Sequence, residues 1–81
     1  MTPDEAMEVL TAALRDIAPE VTIADIDPRR LLQEETDIDS VDFINLAAAI
    51  HERCGVEIPE RDFAEVSTIE GIVAYLASHA A

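Results

Sequence analysis

The chain has 81 residues, 49% of them hydrophobic but only 4% aromatic, and a net charge of −13 from 18 acidic residues against 5 basic ones, all arginine. This composition excludes disorder and leaves room for one small domain, expected to span residues 1–81, with a thin core of Leu, Ile, Val and Ala that buries about 60% of the unfolded surface. The acidic field opposes nucleic acid and anionic membranes and favours partners with basic patches, and a single cysteine, Cys54, excludes an internal disulfide or a cysteine metal cluster.

The first stretch, "MTPDEAMEVL", is acidic and has no long apolar run, so no secretory signal is expected in it. No segment approaches the roughly 20 apolar residues of a membrane span. A cytoplasmic monomer without membrane insertion is the expectation.

Thr2-Pro3-Asp4-Glu5 reads as a helix start. Thr2 is placed to cap, Pro3 stands where its missing N–H costs nothing, and Glu5 completes a capping box. Met7, Leu10, Ala13, Leu14 and Ile17 then recur at helical spacing, and Pro19 stops the helix near Ala18. Residues 19–39 form a long connection. Val21, Ile23 and Ile26 alternate as in a strand, but no second strand pattern exists to pair with them, so an ordered loop is expected. Asp27-Pro28 starts one helical turn that carries Leu31 and Leu32. A loop this long in so small a domain is expected to be functional or docked on the core.

A second helix is expected from about Ser40 to Cys54, stopped by Gly55. Pro59 opens a short segment, "ERDFAEV", that turns Phe63 and Val66 inward. Ser67-Thr68-Ile69-Glu70 reads as another capping box, and Ile69, Ile72, Val73 and Leu76 carry a last helix to about His79. Gly71 costs that helix about 1 kcal/mol relative to Ala, so it leans on packing. The expected fold is all-α: a small four-helix bundle of three main helices plus a short third helix, with a long loop between helices one and two.

The stretch "TDIDSVDFINL" holds the candidate chemistry: Ser40 among Asp37, Asp39 and Asp42 where an apolar helical pattern begins. An EF-hand needs acidic or amide groups at its first, third and fifth positions, Gly at the sixth and Glu at the twelfth. From Asp37 those later positions are Val41, Asp42 and Ala48; from Asp25 they are Arg29, Arg30 and Thr36. Both registers fail. A hydrolase nucleophile needs a nearby base and an oxyanion hole, and there is no G-x-S-x-G elbow. The neighbouring carboxylates would repel a developing oxyanion. His51 and Cys54 lie one helical turn apart, yet Cys54 continues the apolar stripe of Phe43, Leu46, Ala47 and Ile50, where a free cysteine serves as core packing. His79 is expected to be solvated and favourable to the helix C-terminus.

Taken alone, Ser40 reads as an N-cap and the aspartates as a solvated helix start that suits the macrodipole. A helical wheel changes the weighing. Phe43, Leu46, Ala47, Ile50 and Cys54 make one stripe; Val41, Ile44 and Ala48 make a second, about a third of a turn away. A helix packed on one side does not need both. The second stripe begins beside Ser40 and is bordered by Asp42, Asn45 and Glu52, which reads as a partner-docking face next to a modifiable serine.

"DSVDFINLAAAIHERCGVEIP", followed by a short helix and "STIEGIVAYL", resembles the acyl carrier proteins over nearly the whole chain. The resemblance implies that Ser40 is not catalytic. It implies that a phosphopantetheinyl transferase moves 4′-phosphopantetheine from coenzyme A onto the Ser40 hydroxyl, and that the distal thiol then carries an acyl chain as a thioester. It assigns Asp39 to positioning the serine and the transferase's metal, and implies acyl-loading and acyl-processing enzymes as further partners. The chain departs from the commoner pattern at several places: Thr36-Asp37 in place of Leu-Gly, Val41 for Leu, Asn45 and His51 for Glu, Cys54 for Phe. These departures point to a specialised pathway within fatty-acid, polyketide or specialised lipid synthesis. Two other readings stand beside it: an aminoacyl or peptidyl carrier of the same fold, and an unmodified acidic adaptor that binds a basic partner through its second helix.

Overall fold

The computed structural model describes residues 1–79, in which the regular elements are all helices. Helix α1 spans Pro3–Ile17, α2 is a single turn over Leu32–Glu35, α3 spans Ser40–Cys54 and α4 spans Ile69–His79. Two 3-10 helices, Ile23–Asp25 and Glu60–Val66, lie in the connections. The short third helix expected from the sequence is the second of these, and the long loop carries the other 3-10 helix and α2. The alternating Val21, Ile23 and Ile26 form no strand.

Local chemistry sets the ends of α1. Thr2 Oγ1 accepts the Glu5 N–H at 3.1 Å while Glu5 Oε1 accepts the Thr2 N–H at 3.0 Å, which is the expected capping box. This hydrogen bonding holds the Glu5 carboxyl below its ordinary pKa. Ile17 is the last residue of α1 and Ala18 its C-cap. Ala6, Leu10, Ala13 and Leu14 are buried. Met7 is an exception to the expected stripe: it is exposed, because the face that meets α3 and α4 runs through Ala6 and Leu10 instead.

The long loop is tied to the core at three points, Ile26, Leu32 and Ile38, all buried. Asp27-Pro28 makes a hydrogen-bonded turn, with Arg30 N–H on the Asp27 carbonyl at 3.2 Å and Arg29 N–H on Asp27 Oδ1 at 3.0 Å, but the helical turn begins only at Leu32. Leu31 is exposed. Its backbone is pinned to the start of α4 by an isolated bridge to Thr68, so its side chain points away while Leu32 enters the core.

The expected capping box at Ser67 is not the one formed. Thr68 Oγ1 accepts the Gly71 N–H at 2.9 Å and so caps α4, whereas the Ser67 hydroxyl donates to the Ala64 carbonyl at 3.1 Å and closes the preceding 3-10 helix. Glu70, freed from a box, donates its N–H to the Pro28 carbonyl at 2.9 Å and pairs with Arg29 at 3.5 Å. The tertiary connection to the loop thus displaces the local motif.

Helix α1 packs against both α3 and α4, and α4 packs against the second 3-10 helix. Gly71 makes that last contact possible: a Cβ there would run into the Glu65 carbonyl oxygen. Tyr75 is buried in α4 and its hydroxyl donates to Asp62 at 2.8 Å, a second tie between the same elements. Burial pushes the Tyr75 phenol above its ordinary pKa, and the Asp62 hydrogen bond adds to the shift. His79 stacks on Tyr75, ring centroids 3.8 Å apart, at the exposed end of α4.

Candidate functional site: an exposed serine at the head of a helix

Ser40 is the first residue of α3, and it is exposed. The cap is not Ser40 but Asp39, whose Oδ1 accepts the Asp42 N–H at 2.8 Å and whose carbonyl accepts the Phe43 N–H at 3.0 Å. Asp39 takes the cap because its backbone is extended, φ −92° and ψ −175°, while Ser40 has already entered the helix. The Ser40 hydroxyl is therefore not committed to the backbone. Just upstream, Ile38 is buried and its N–H bonds Thr36 Oγ1 at 3.3 Å. This apolar anchor fixes the end of the loop, so Asp39 and Ser40 are held at the surface and not left to move with the connection.

At the far end of α3, Gly55 takes the left-handed conformation, φ 76°, and its N–H bonds the His51 carbonyl at 2.8 Å. Arg53 ties α3 to α1 by donating Nε and Nη2 to Asp16 Oδ2 at 3.1 and 2.7 Å. With both side chains substantially exposed, this pair orients the helices more than it stabilises them.

The two stripes of α3 separate in space. Phe43, Leu46 and Ile50 are buried, with Ala47 and Cys54 packed against the core. Val41 is 65% exposed and Ile44 53%, and Asn45, Ala48 and Glu52 are exposed beside them; Asp42 is half-buried. The 19–39 loop therefore leaves Ile44 uncovered. The Cys54 thiol donates to the Ile50 carbonyl at 3.2 Å, a packing role, and not to His51, which is exposed. Among the described residues no group of three or more His, Cys, Asp or Glu is placed to hold a metal ion.

A cavity of about 220 Å³ opens beside Ser40. Ser40, Phe43 and Ile44 form one wall; Phe63 and Glu60, on the second 3-10 helix, Ser67, just after it, and Gln33, on α2, complete it. The Phe43 and Phe63 rings meet edge to face, centroids 5.1 Å apart and planes at 74°. Sequence reasoning turns Phe43 and Phe63 inward but does not bring them together, and it misses Gln33 and Glu60 altogether. No local signal links residues from three separate elements.

Chemically, the site offers a solvent-facing primary hydroxyl at a helix N-terminus. The first-turn N–H groups of Ser40 and Val41 have no intrahelical acceptor. They suit a phosphodiester on Ser40, while the carboxylates of Asp39 and Asp42 oppose a tight cradle for it. The residues present thus fit a covalently attached phosphate held loosely.

Comparison with known proteins gives the same direction. The family described as "Phosphopantetheine attachment site" matches residues 8–76, a span that contains Ser40. The chain is 32% identical over 72 residues to the meromycolate extension acyl carrier protein of Mycolicibacterium smegmatis, covering 85% of this chain and 73% of that one. It is 32% identical over 74 residues to an acyl carrier protein of Streptomyces coelicolor, covering 91% and 76%. An acyl carrier protein of Thermobifida fusca is 28% identical over 72 residues, covering 89% of this chain and 90% of its own.

Proposed function

Because the chain belongs to the acyl carrier proteins of the phosphopantetheine attachment family, we propose that Ser40 is the residue that bears its 4′-phosphopantetheine arm. The chain holds acyl groups as thioesters on such an arm. The observation that supports Ser40 is the state of its hydroxyl. Ser67 Oγ donates to the Ala64 carbonyl and Ser78 Oγ to the Ala74 carbonyl, while the Ser40 hydroxyl has no such bond among the described residues. Of the three serines in the chain, it is the one exposed at the head of a long helix and flanked by aspartates.

In the attachment step the Ser40 oxygen attacks the pantetheine-bearing phosphorus of coenzyme A. The pyrophosphate bond breaks, the adenosine bisphosphate leaves, and the serine proton passes to a base on the transferase. Asp39 keeps the attacking hydroxyl at the surface by taking the cap itself. The chain supplies no base of its own at Ser40: His51 lies three turns away along α3, about 16 Å. Its role is to carry, and the chemistry belongs to its partners.

Those partners are a phosphopantetheinyl transferase and acyl-loading or acyl-processing enzymes with basic patches. The surface that suits them is Val41, Ile44 and Ala48, rimmed by Asp42, Asn45 and Glu52, on a molecule of charge −13. Acyl cargo is favoured over aminoacyl cargo because the relatives named above are acyl carriers, one of them for meromycolate extension. A specialised lipid pathway, served by a cytoplasmic monomer, fits the departures in α3. No helix among the described residues is long and apolar enough to cross a membrane.

Co-expression with a promiscuous transferase tests this reading by intact mass. The wild type is expected to gain one phosphopantetheine and Ser40→Ala none. A Ser40→Ala protein that is still modified would overturn the assignment. Cys54→Ala serves as the control wherever thiols are counted.

A further inference from the structure

We infer that Thr36 is a positioning residue for the attachment step: its hydroxyl fastens the segment that leads into Ser40 to α2, and so fixes where the serine is presented to the transferase. The inference rests on the reading that Ser40 bears the arm.

Thr36 Oγ1 makes two bonds in opposite directions. It donates to the Leu32 carbonyl at 2.8 Å and accepts the Ile38 N–H at 3.3 Å. The first bond holds it to α2; the second reaches the residue that precedes the Asp39 cap. The Thr36 N–H also meets the Leu32 carbonyl, at 3.1 Å, so that carbonyl grips Thr36 twice. The turn of α2 is itself a fixed support. Leu32 is fully buried, its N–H bonds the Ser67 carbonyl at 2.8 Å, and Glu35 Oε1 accepts the Asp27 N–H at 2.9 Å. A continuous line of bonds thus runs from Ser67 through Leu32 and Thr36 to Ile38.

The hydroxyl matters because little else holds these residues. Between Leu32 and Ser40 only Ile38 is buried. A cleft of about 250 Å³ parts Glu35, Thr36 and Asp37 from Glu20, Val21 and Asp25 at the start of the loop, so packing from that side contributes little. Thr36 Oγ1 is the one acceptor that the Ile38 N–H has among the described residues. Ile38 is 5% exposed, so without that acceptor its N–H would have to turn toward water. Asp39 follows directly, and its cap depends on an extended backbone at φ −92° and ψ −175°. Rotation at Ile38 shifts that backbone, and Ser40 after it. The commoner pattern has Leu-Gly at Thr36-Asp37, and neither of those residues has a side chain that could accept the Ile38 N–H. The face of Val41, Ile44 and Ala48 lies beyond the cap, on α3. The signature of a lost Thr36 hydroxyl is therefore slower turnover with association kept.

The test measures transfer of 4′-phosphopantetheine from coenzyme A by one transferase, with the carrier as the varied substrate, for wild type, Thr36→Val and Thr36→Ser. Amide exchange followed by NMR on the unmodified proteins accompanies it. Thr36→Val keeps the shape and removes the hydroxyl; its kcat is expected to fall roughly 2- to 10-fold, the factor that one net hydrogen bond supplies, with KM unchanged. Thr36→Ser keeps the hydroxyl and is expected to restore kcat. The Ile38 amide is expected to exchange more slowly than that of Asp37 in the wild type and the Ser variant, and as fast in the Val variant. A merely structural Thr36 would lower the Tm of Thr36→Val and leave kcat of the folded fraction in place. Equal kcat for Thr36→Val and wild type overturns the positioning role; so does a loss that Thr36→Ser fails to restore, or one confined to KM. Should Thr36→Val fail to fold, the wild type still decides: an Ile38 amide that exchanges as fast as that of Asp37 overturns the tie. No mass gain at Ser40 in the wild type overturns the attachment reading and the positioning role with it. Slow Ile38 exchange and normal mass gain, without the kcat loss, overturn the positioning role alone.

Discussion

Asp39 Oδ1 accepts the Asp42 N–H at 2.8 Å across Ser40, so the residue before the serine caps α3 and the serine itself stays free. On the proposed reading, capping and attachment are thereby divided between neighbours. Asp39→Ala is expected to cost about 1 kcal/mol, as lost N-caps do. Asp39→Asn keeps an acceptor at the cap and is expected to change stability by only a few tenths of a kcal/mol. If the carboxylate also serves the transferase's metal, the Asn variant will be stable and slowly modified. Denaturant melts paired with transferase kinetics on both variants check this, and an Asn variant loaded at the wild-type rate would confine Asp39 to capping.

The two faces of α3 are expected to separate folding from docking. Leu46 is fully buried, so Leu46→Ala is expected to cost roughly 2–5 kcal/mol, a large share of the stability of so small a domain. Ile44 is half exposed, and Ile44→Ala is expected to change stability by about 0.5 kcal/mol or less. The same change is expected to slow loading of Ser40, because an exposed apolar anchor inside a polar rim is where a partner gains most. Equal losses of stability in the two variants would show that Ile44 belongs to the core.

Gly71 and Gly55 are needed for different reasons, and Ala exposes the difference. At Gly71 a methyl group meets the Glu65 carbonyl. The usual helix gain of about 1 kcal/mol is then set against an overpacking cost of about 1–3 kcal/mol, and a net loss is expected. At Gly55 there is open space around the added atom, but φ is +76°. The expected cost there is the left-handed strain of about 1–2 kcal/mol. Urea melts of both variants decide it, and a stabilised Gly71→Ala protein would contradict the contact with Glu65.

Tyr75 predicts the alkaline limb of stability. Its phenol is held neutral by burial and by Asp62, so its folded pKa lies above the unfolded one. The stabilisation is fully present below the unfolded value, near 10. It is lost as pH rises through that value toward the folded one, because the unfolded chain gives up its proton first. Tyr75→Phe is expected to lack this slope and to cost about 0.5–1.5 kcal/mol at neutral pH for the lost hydrogen bond. Melts across an alkaline pH series measure both, and identical slopes in the two proteins would refute the linkage.

Rising salt is expected to weaken partner association mainly through slower on-rates. A −13 surface is expected to steer basic partners from a distance, and its field is screened within about 10 Å at 0.1 M ionic strength. Binding kinetics that stay flat across a salt series would remove steering from the account.

What the sequence by itself determined is what local physics dictates. The Thr2–Glu5 box, the proline at the start of α1, the glycine after Cys54 and the buried stripe Phe43, Leu46 and Ile50 all act within one or two turns of chain, so their pattern is visible in the letters. The position of Ser40 at a helix head, with an apolar face alongside, was legible for the same reason. The tertiary structure decided whatever depended on a competitor from elsewhere. Thr68 caps α4 where Ser67 was expected to, because Ser67 is used by the preceding 3-10 helix and Glu70 is drawn to the loop at Pro28. Asp39 rather than Ser40 caps α3, because Ile38 is buried and sets where the extended chain turns into helix. Leu31 faces out and Leu32 in, because the bridge to Thr68 chooses the side. Phe43 meets Phe63, and a cavity forms between them and Ser40, because α1 and α4 fix where α3 and the 3-10 helix come to lie. Each of those outcomes is a choice between locally similar options, and only the packing of distant segments makes one of them lower in free energy.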